Sequence, residues 1–437
     1  MSLKIIIIGA GLGGLAAAIS IKTESPNHEV LVLESAPALA EIGAGLQLTP
    51  NATRLLERWG LQPRLQNLVT CPEIFTIHRY SDGKLLGQRQ HFGQEMLRKY
   101  RANFWDTHRA DLQLVLYDRA ESLGVKFRFG VLVEGHNFKV PERLTARNHL
   151  SKTPFKRSLT SSGLWSKCRA SFLGKPSPPI PTGDLAYRIV LRVEDIDDKD
   201  LREFASVPRV CLWVGPDCHA IYYPLRNNTM CNVVLLVPDN LPENVAKASG
   251  DLGEMHEIFK DWDPRLRKLL ALVKQVDKWK LMHLDEMERW YNDEATVVFL
   301  GDSCHPMLPY MAQGAGSALE DGATLGILLS KAASRQDLHE TLKRYESLRK
   351  PRSLVLQKGS MRQRYWNHLR DGPTQKNRDL LAEQQFQEPQ PGYPFYWIDP
   401  EMQSRVYGYD VVEELKKAGV DTGKFDHRNR SPLLSKV

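Results

Sequence analysis

The sequence predicts an α/β fold, and three observations carry that prediction. A short β-branched run, Ile5–Ile8, meets Gly9-Ala-Gly-Leu-Gly-Gly14, with an apolar, alanine-rich stretch behind it. A second apolar run, Val30–Leu33, ends on Glu34 about twenty residues later. Far downstream, Thr296–Leu300 runs into Gly301-Asp302, a loop containing Pro306 and Pro309, and then the small-residue start Gln313-Gly-Ala-Gly316 of another helix.

The first two observations define a βαβ unit that binds a nucleotide. Ile5–Ile8 is apolar throughout, as a parallel strand buried on both faces must be. Gly9 permits the tight turn, Gly11 lets the backbone approach a pyrophosphate, and Gly14 lets the helix close on the sheet. The helix then offers unpaired N–H groups and the positive end of its dipole to the phosphates. Glu34 stands where a carboxylate can accept from a ribose. The span Ile5–Ile21 is read as this unit rather than as a leader or membrane anchor. Four glycines interrupt it, it is shorter than the ~20 apolar residues of a spanning helix, and no small-residue cleavage site follows.

The chain continues with a hairpin over 73–95, because Asp82-Gly83 separates two strand-like runs. Leu112, Val115, Leu116 and Ala120 recur at helical spacing within 110–123. From about 183 to 284 the chain is strand-rich: Ala186–Val193, Val210–Val214, His219–Leu225 and Met230–Val237. Met255–Gln275 reads as one amphipathic helix, and 317–370 as mostly helical. The terminal ~65 residues are polar and proline-rich and are expected to wrap the surface. No internal repeat is visible.

In the downstream block, Asp302 at the end of a central strand can hold a sugar-alcohol hydroxyl. Gly314, Ala315 and Gly316 bring bare backbone beside a flat ligand, and the helix that follows can stabilise negative charge on it.

Composition narrows the class. With 437 residues, two or three domains are expected. A 42% hydrophobic and 25% charged content is that of a soluble globular chain. Six cysteines without a C-x-x-C pair read as reduced thiols of an intracellular, cytoplasmic protein, with no metal site. The net charge of +7 comes from residues 143–183, which hold eight Lys/Arg and no acid; the remainder is about neutral. No nucleic-acid partner and no membrane follow from it.

The chain resembles the class A flavoprotein monooxygenases, similar to p-hydroxybenzoate hydroxylase and especially to fungal salicylate hydroxylase-like enzymes. The resemblance rests on Gly9–Gly14, Glu34, Glu41-Ile-Gly-Ala-Gly45, His108-Arg109-Ala-Asp-Leu112 and the Gly301-Asp302…Gly316 block. Softer carriers are Gly183-Asp-Leu-Ala-Tyr-Arg188 and Gln390-Pro-Gly-Tyr-Pro. It implies FAD as cofactor. Glu34 would bind the adenosine ribose, Gly45 would approach the cofactor, and Arg109 would contact its phosphates. Asp302 would hold the ribityl chain, with Gly314 and Ala315 against the ring. It implies NAD(P)H as co-substrate, with no second Rossmann unit for it, and hydroxylation of a small aromatic through a flavin hydroperoxide. The substrate would be salicylate-like or a polyketide-derived phenol of fungal secondary metabolism. Arg188 and Tyr223 would orient that substrate; strand alternation admits only one of Tyr222 and Tyr223 to the cavity. The alternative is a surface ion pair for Arg188 and simple packing for both tyrosines.

The implied organisation is a discontinuous FAD-binding domain (1–72, 96–182 and 285–345), a β-rich substrate-binding domain (73–95 and 183–284) and a C-terminal helical and extended tail (346–437), in a monomer or homodimer. One departure stands out. The family's Asp-Gly motif should fall just before Leu164, where this chain has Ser162-Gly163. Within the disrupted region 136–163, the stretch 143–161 lacks strand alternation and any apolar run, so a central strand is expected to be compromised. The second reading is therefore a flavin-binding protein without turnover. A third, a plain NAD-binding dehydrogenase or interaction module, would use only the N-terminal fingerprint.

Overall fold

The computed structural model describes residues 2–39, 44–136, 144–147, 158–160, 163–392 and 395–422. Two sheets organise them. The first is parallel, in the order Val297–Phe299, Ser158–Thr160, Lys4–Ile8, Glu29–Leu33, Lys126–Arg128. Its central strands are apolar on both faces because helices cover both. The helix Leu12–Glu24 lies against the helix Gly314–Lys331. Glycines make this approach possible. A Cβ at Gly322 would stand 2.5 Å from Ala17 N, and one at Gly326 would stand 2.2 Å from Ser20 Oγ. The pairing of 322 with 17 and 326 with 20 means that the two helices run in the same direction, so their N-termini open at the same end.

The second sheet has eight strands, in the order Lys247–Ser249, Asp277–His283, Ile180–Arg192, Met230–Pro238, Cys218–Leu225, Arg209–Gly215, Ile74–Arg79, Leu85–Arg89. Every pair is antiparallel except Arg209–Gly215 with Ile74–Arg79. Alternation sends Tyr187, Trp213, Tyr222 and Val233 to one face, where they form a core with Leu201, Phe204, Met255 and Leu266. The opposite face, with Ala186, Arg188, Tyr223 and Val234, turns to the first sheet's helices. A small third sheet of Gly45–Leu48, Trp105–His108 and Val69–Thr70 joins the two.

Five expectations need correction. The strand expected to be compromised is present: Ser158–Thr160 pairs on both sides, with Leu159 and Thr160 buried. It is only three residues long, and the rest of the basic segment (137–143, 148–157 and 161–162) lies outside the described residues, as does most of Glu41–Ala44. The strand before Asp302 is not central; it ends the sheet and is bridged by Tyr291. The hairpin stops at Arg89, and a helix Phe92–Tyr100 follows. Met255–Gln275 is broken into Leu252–Ile258 and Pro264–Leu270. Pro264 cannot donate to a preceding turn, and the Asp263 side chain caps the new helix instead.

The C-terminal region is also more than a surface wrap. Helices Asp337–Asn367, Pro373–Gln387, Pro400–Tyr407 and Val411–Lys417 carry it. Phe395, Trp397, Ile398 and Tyr407 enter the core beside Phe75 and Phe104. No helix among the described residues is long and apolar enough to cross a membrane.

Candidate active site

The two like-directed helices start at one cavity of about 350 Å³, lined by Gly11, Gly13, Gly45, Gly301 and Gly314 on one side and by Ala186, Arg188, Tyr223 and Leu281 on the other. Neither helix has a side-chain cap: Gly11 and Gln313 occupy the cap positions without a side-chain hydrogen bond. Their first-turn N–H groups are therefore left to whatever fills the space. A Cβ added at Gly11 would meet nothing within 4 Å and would enter the cavity, whereas one at Gly14 would stand 2.1 Å from Gly9 O. The first glycine keeps room for a ligand; the second lets helix and loop touch. Gly9 has φ +104°, and its N–H donates to Leu33 O at 2.7 Å.

Three charged groups face this cavity without a hydrogen-bond or ion-pair partner among the described residues: Arg109, Arg188 and Asp302. Burial raises the Asp302 carboxyl above its ordinary value, an effect that His305 and Arg109 oppose. Burial lowers the Arg188 guanidinium, Tyr223 works against that, and Arg109 adds to it. The two cations thus share a confined space that favours an anionic ligand. Arg188 stacks 4.9 Å over the Trp279 ring, which fixes its plane and leaves its donors free.

Other residues singled out by sequence are placed differently from one another. Glu34 is not on the cavity wall. Its Oε2 accepts from Ala10 N–H at 2.8 Å, and its Oε1 accepts from Ala36 N–H at 2.9 Å. It ties the glycine turn to the end of the second strand and keeps spare lone pairs for a hydroxyl. Gly45 lines the cavity, but its N–H donates to Asn232 Oδ1 at 2.8 Å, and a Cβ there would strike the Tyr223 ring at 2.4 Å. The glycine serves the contact between the two halves of the chain. Ala315 lines the cavity beside Gly314, and Gly163 also reaches it. Tyr223 faces the cavity, with a phenol held high by burial and by Asp106. Tyr222 points the other way, against Phe204.

A smaller chamber of about 120 Å³ opens beyond Tyr223, walled by Leu212, Ile221, Leu236 and Trp397 and edged by Gln47, His219 and Asn367. It shares Gly45, Tyr223 and Pro309 with the main cavity.

Beneath the site lies a charge cluster that sequence reasoning missed. Arg349, wholly buried, donates from Nε to Asp321 Oδ1 at 2.8 Å and meets Glu320 at 2.8 Å. Arg352 grips Glu320 with two donors. Asp321 accepts from Gly301 N–H at 2.9 Å and pairs with His305, which fixes the turn that presents Asp302. Asn51 joins Glu320 to Gln313, the residue before Gly314. The two arginines hold the Glu320 carboxyl below its ordinary value, while His305 and Arg349 do the same for Asp321, in both cases against the opposing effect of burial. The signal was in the sequence: two adjacent acids inside an otherwise small and apolar helix require buried partners.

These residues fit FAD. Two uncapped helix starts and Arg109 suit a pyrophosphate, Asp302 is an unengaged acceptor, and bare backbone at Gly314 suits a flat ring. Comparison with known proteins agrees. A family model described as an FAD binding domain matches residues 212–358. The chain is 42% identical to the FAD-dependent monooxygenase OpS4 of Beauveria bassiana (strain ARSEF 2860), over 96% of this chain and 98% of that protein. It is 31% identical to a 3-hydroxybenzoate 6-hydroxylase of Polaromonas naphthalenivorans (strain CJ2), over 74% and 78%. A salicylate hydroxylase solved as a substrate complex superposes with a TM-score of 0.76 at 19% identity, covering 96% of this chain and 98% of that one, a likeness of fold.

Proposed function

The chain belongs to the FAD-dependent monooxygenases, and from that premise we propose that it hydroxylates a phenolic or aromatic-acid substrate, with NAD(P)H as reductant. The observation that carries the proposal is the single cavity with two dissimilar walls, one of glycine backbone and helix N-termini, the other of sheet side chains led by Arg188 and Tyr223. Bound FAD supplies the activation of dioxygen that places one oxygen atom on the ring.

The chain's own residues bind, orient and exclude. The N–H groups of the Leu12 and Gly314 helix starts, with Arg109, hold the dinucleotide's phosphates and the electron-rich edge of its ring. Glu34 takes the ribose and Asp302 the ribityl hydroxyls. Arg188 holds a carboxylate or phenolate by a two-donor fork. Tyr223 sets the ring's angle above Gly45. The chamber walls Leu212, Ile221 and Trp397 exclude water. On this reading, the eight-stranded sheet unit (73–95 and 183–284) is the substrate domain. Residues 1–72, 96–182 and 285–345 form the FAD-binding domain, and 346–437 are the C-terminal tail, from which Asn367 and Trp397 line the chamber. A salicylate would lose its carboxylate on hydroxylation, whereas a polyketide-type phenol would gain oxygen or lose aromaticity.

The test is turnover of the purified holoprotein with NADH or NADPH in air against a panel containing salicylate, 3-hydroxybenzoate and 3-amino-4-hydroxybenzoate. The expected result is nucleotide oxidation that rises with one phenolic acid and a product heavier by one oxygen, allowing for loss of carbon dioxide. Yellow protein that oxidises neither nucleotide faster with any phenol and makes no product would favour the reading without turnover.

A further inference from the structure

We propose that Lys247 holds the Asp277 carboxylate away from Arg188, and that this ion pair sets how tightly the site takes an anionic substrate. The proposal rests on the reading of Arg188 as the residue that grips the substrate's carboxylate or phenolate. The strand Ile180–Arg192 lies between Met230–Pro238 and Asp277–His283, and Lys247–Ser249 forms the edge of the sheet beyond. Arg188 stands directly opposite Val234 on the inner strand and Asp277 on the outer one. Directly opposed residues share a face, with their Cβ atoms about 5 Å apart. A carboxylate so placed is the natural partner of a guanidinium.

Asp277 is engaged elsewhere. Its Oδ2 pairs with Lys247 Nζ at 2.9 Å. Lys247 is opposite Trp279, two residues along the strand from Asp277 on the same face, and a long side chain spans that diagonal. The same ammonium sits 4.6 Å from the centre of the Trp279 ring, and the Arg188 guanidinium sits 4.9 Å from it. Trp279 thus anchors both cations. The lysine is turned to Asp277, and the arginine to the cavity. The charged groups that act most on Arg188 are Tyr223 and Arg109, both on the cavity wall.

Two acceptors therefore compete for one arginine. Asp277 is tethered on the neighbouring strand, so once released it meets Arg188 at high effective concentration, and a substrate anion must displace it. The Lys247 and Asp277 side chains are 47% and 48% exposed, so packing fixes neither, and the ion pair decides where the carboxylate goes. Pairs this exposed are weak, and the effect is a tuning of affinity. Arg188 is the one of the three that touches substrate; Lys247 and Asp277 are positioning residues. They lie outward of Arg188 on the sheet, so a change there alters substrate binding and leaves the flavin and the rate at saturation alone.

The test replaces Lys247→Met in the holoprotein, which keeps an apolar stem on Trp279 and removes the charge. Binding is read from the flavin absorbance during titration with the phenolic acid that turns over in the panel above; steady-state product formation gives KM and kcat. The expected result is yellow protein with Kd and KM raised about fivefold at low salt and kcat within about twofold of wild type. The loss should shrink at about 0.5 M salt. Lys247→Arg keeps the ion pair and should bind within about twofold of wild type. Adding Asp277→Asn to Lys247→Met should restore the affinity. In an Arg188→Leu background, Lys247→Met should change the affinity by less than about twofold, because the freed carboxylate then has no arginine to occupy. An unchanged Kd in Lys247→Met, no recovery in the double variant, or an equal loss in the Arg188→Leu background would overturn the proposal; the last would mean that Lys247 attracts the anion itself. If Arg188→Leu binds the acid as tightly as wild type, or wild type turns over no phenolic acid, the reading of Arg188 has failed and the proposal with it.

Discussion

The two walls of the cavity are made of different material. The cofactor wall is backbone: glycines at 11, 13, 301 and 314, and the open starts of two helices. The substrate wall is side chain: Arg188, Tyr223 and Leu281 from three strands, with Trp397 from the C-terminal region behind them. Backbone recognition depends on local sequence, since a turn and a helix start are contiguous. Side-chain recognition depends on register across strands separated by many residues. A change on the first wall should therefore remove the flavin, and a change on the second should spare the flavin and remove turnover.

The largest expected effect falls on the frame beneath both walls. Arg349→Leu would leave Asp321 and part of Glu320 uncompensated at zero exposure. A loss of about 3–5 kcal/mol is expected in urea unfolding, along with loss of bound flavin. Retention of both would show that Arg352 and His305 suffice.

A pair of glycines sharpens the cofactor wall. Gly14→Ala puts a Cβ at 2.1 Å from Gly9 O and should cost about 1–3 kcal/mol in stability. Gly11→Ala has free space and should unfold within about 0.5 kcal/mol of wild type, yet hold FAD at least tenfold more weakly. If both variants lost stability equally, the space at Gly11 would not be a ligand's.

On the substrate wall, Arg188→Leu should keep the protein yellow. It should lower kcat/KM for the phenolic acid by about 2 kcal/mol, roughly thirtyfold, as loss of a charged hydrogen bond does. The measurement is steady-state product formation at matched flavin content.

The smallest effect is in acid. His219 and His368 titrate below their ordinary value when folded, so the unfolded chain binds more protons as pH falls. Their contribution to stability is present above about pH 6.5 and is lost as pH falls toward about 4. Urea unfolding of His368→Gln should therefore fall off less between pH 7 and 5 than that of wild type; an identical fall would contradict the assignment.

This contrast also explains what could be read from sequence. Gly9–Gly14 and the Gly301-Asp302…Gly316 block are contiguous strings, and Gly11, Gly13, Asp302 and Gly314 from them line one cavity; Glu34 sits behind the glycine turn, off that wall. Arg188 and Tyr223 were reached through resemblance and strand alternation. His219, Asn367 and Trp397 were not found, because they meet only once strands and a distant C-terminal segment assemble. The helix break at Pro264 was legible, since proline ends a preceding turn, but the surrounding apolar period hid it. Ser158–Thr160 was hidden for the opposite reason: three residues beside a basic stretch carry no period, and the neighbouring strands hold them in place.

The claim that both walls enclose one site is tested most directly by the visible absorbance of the bound flavin during titration with the phenolic acid. Wild type should show a saturable shift, and Arg188→Leu, with the same flavin content, should need at least about tenfold more of the acid. An unchanged titration in that variant, or a protein that stays colourless after incubation with FAD, would contradict it.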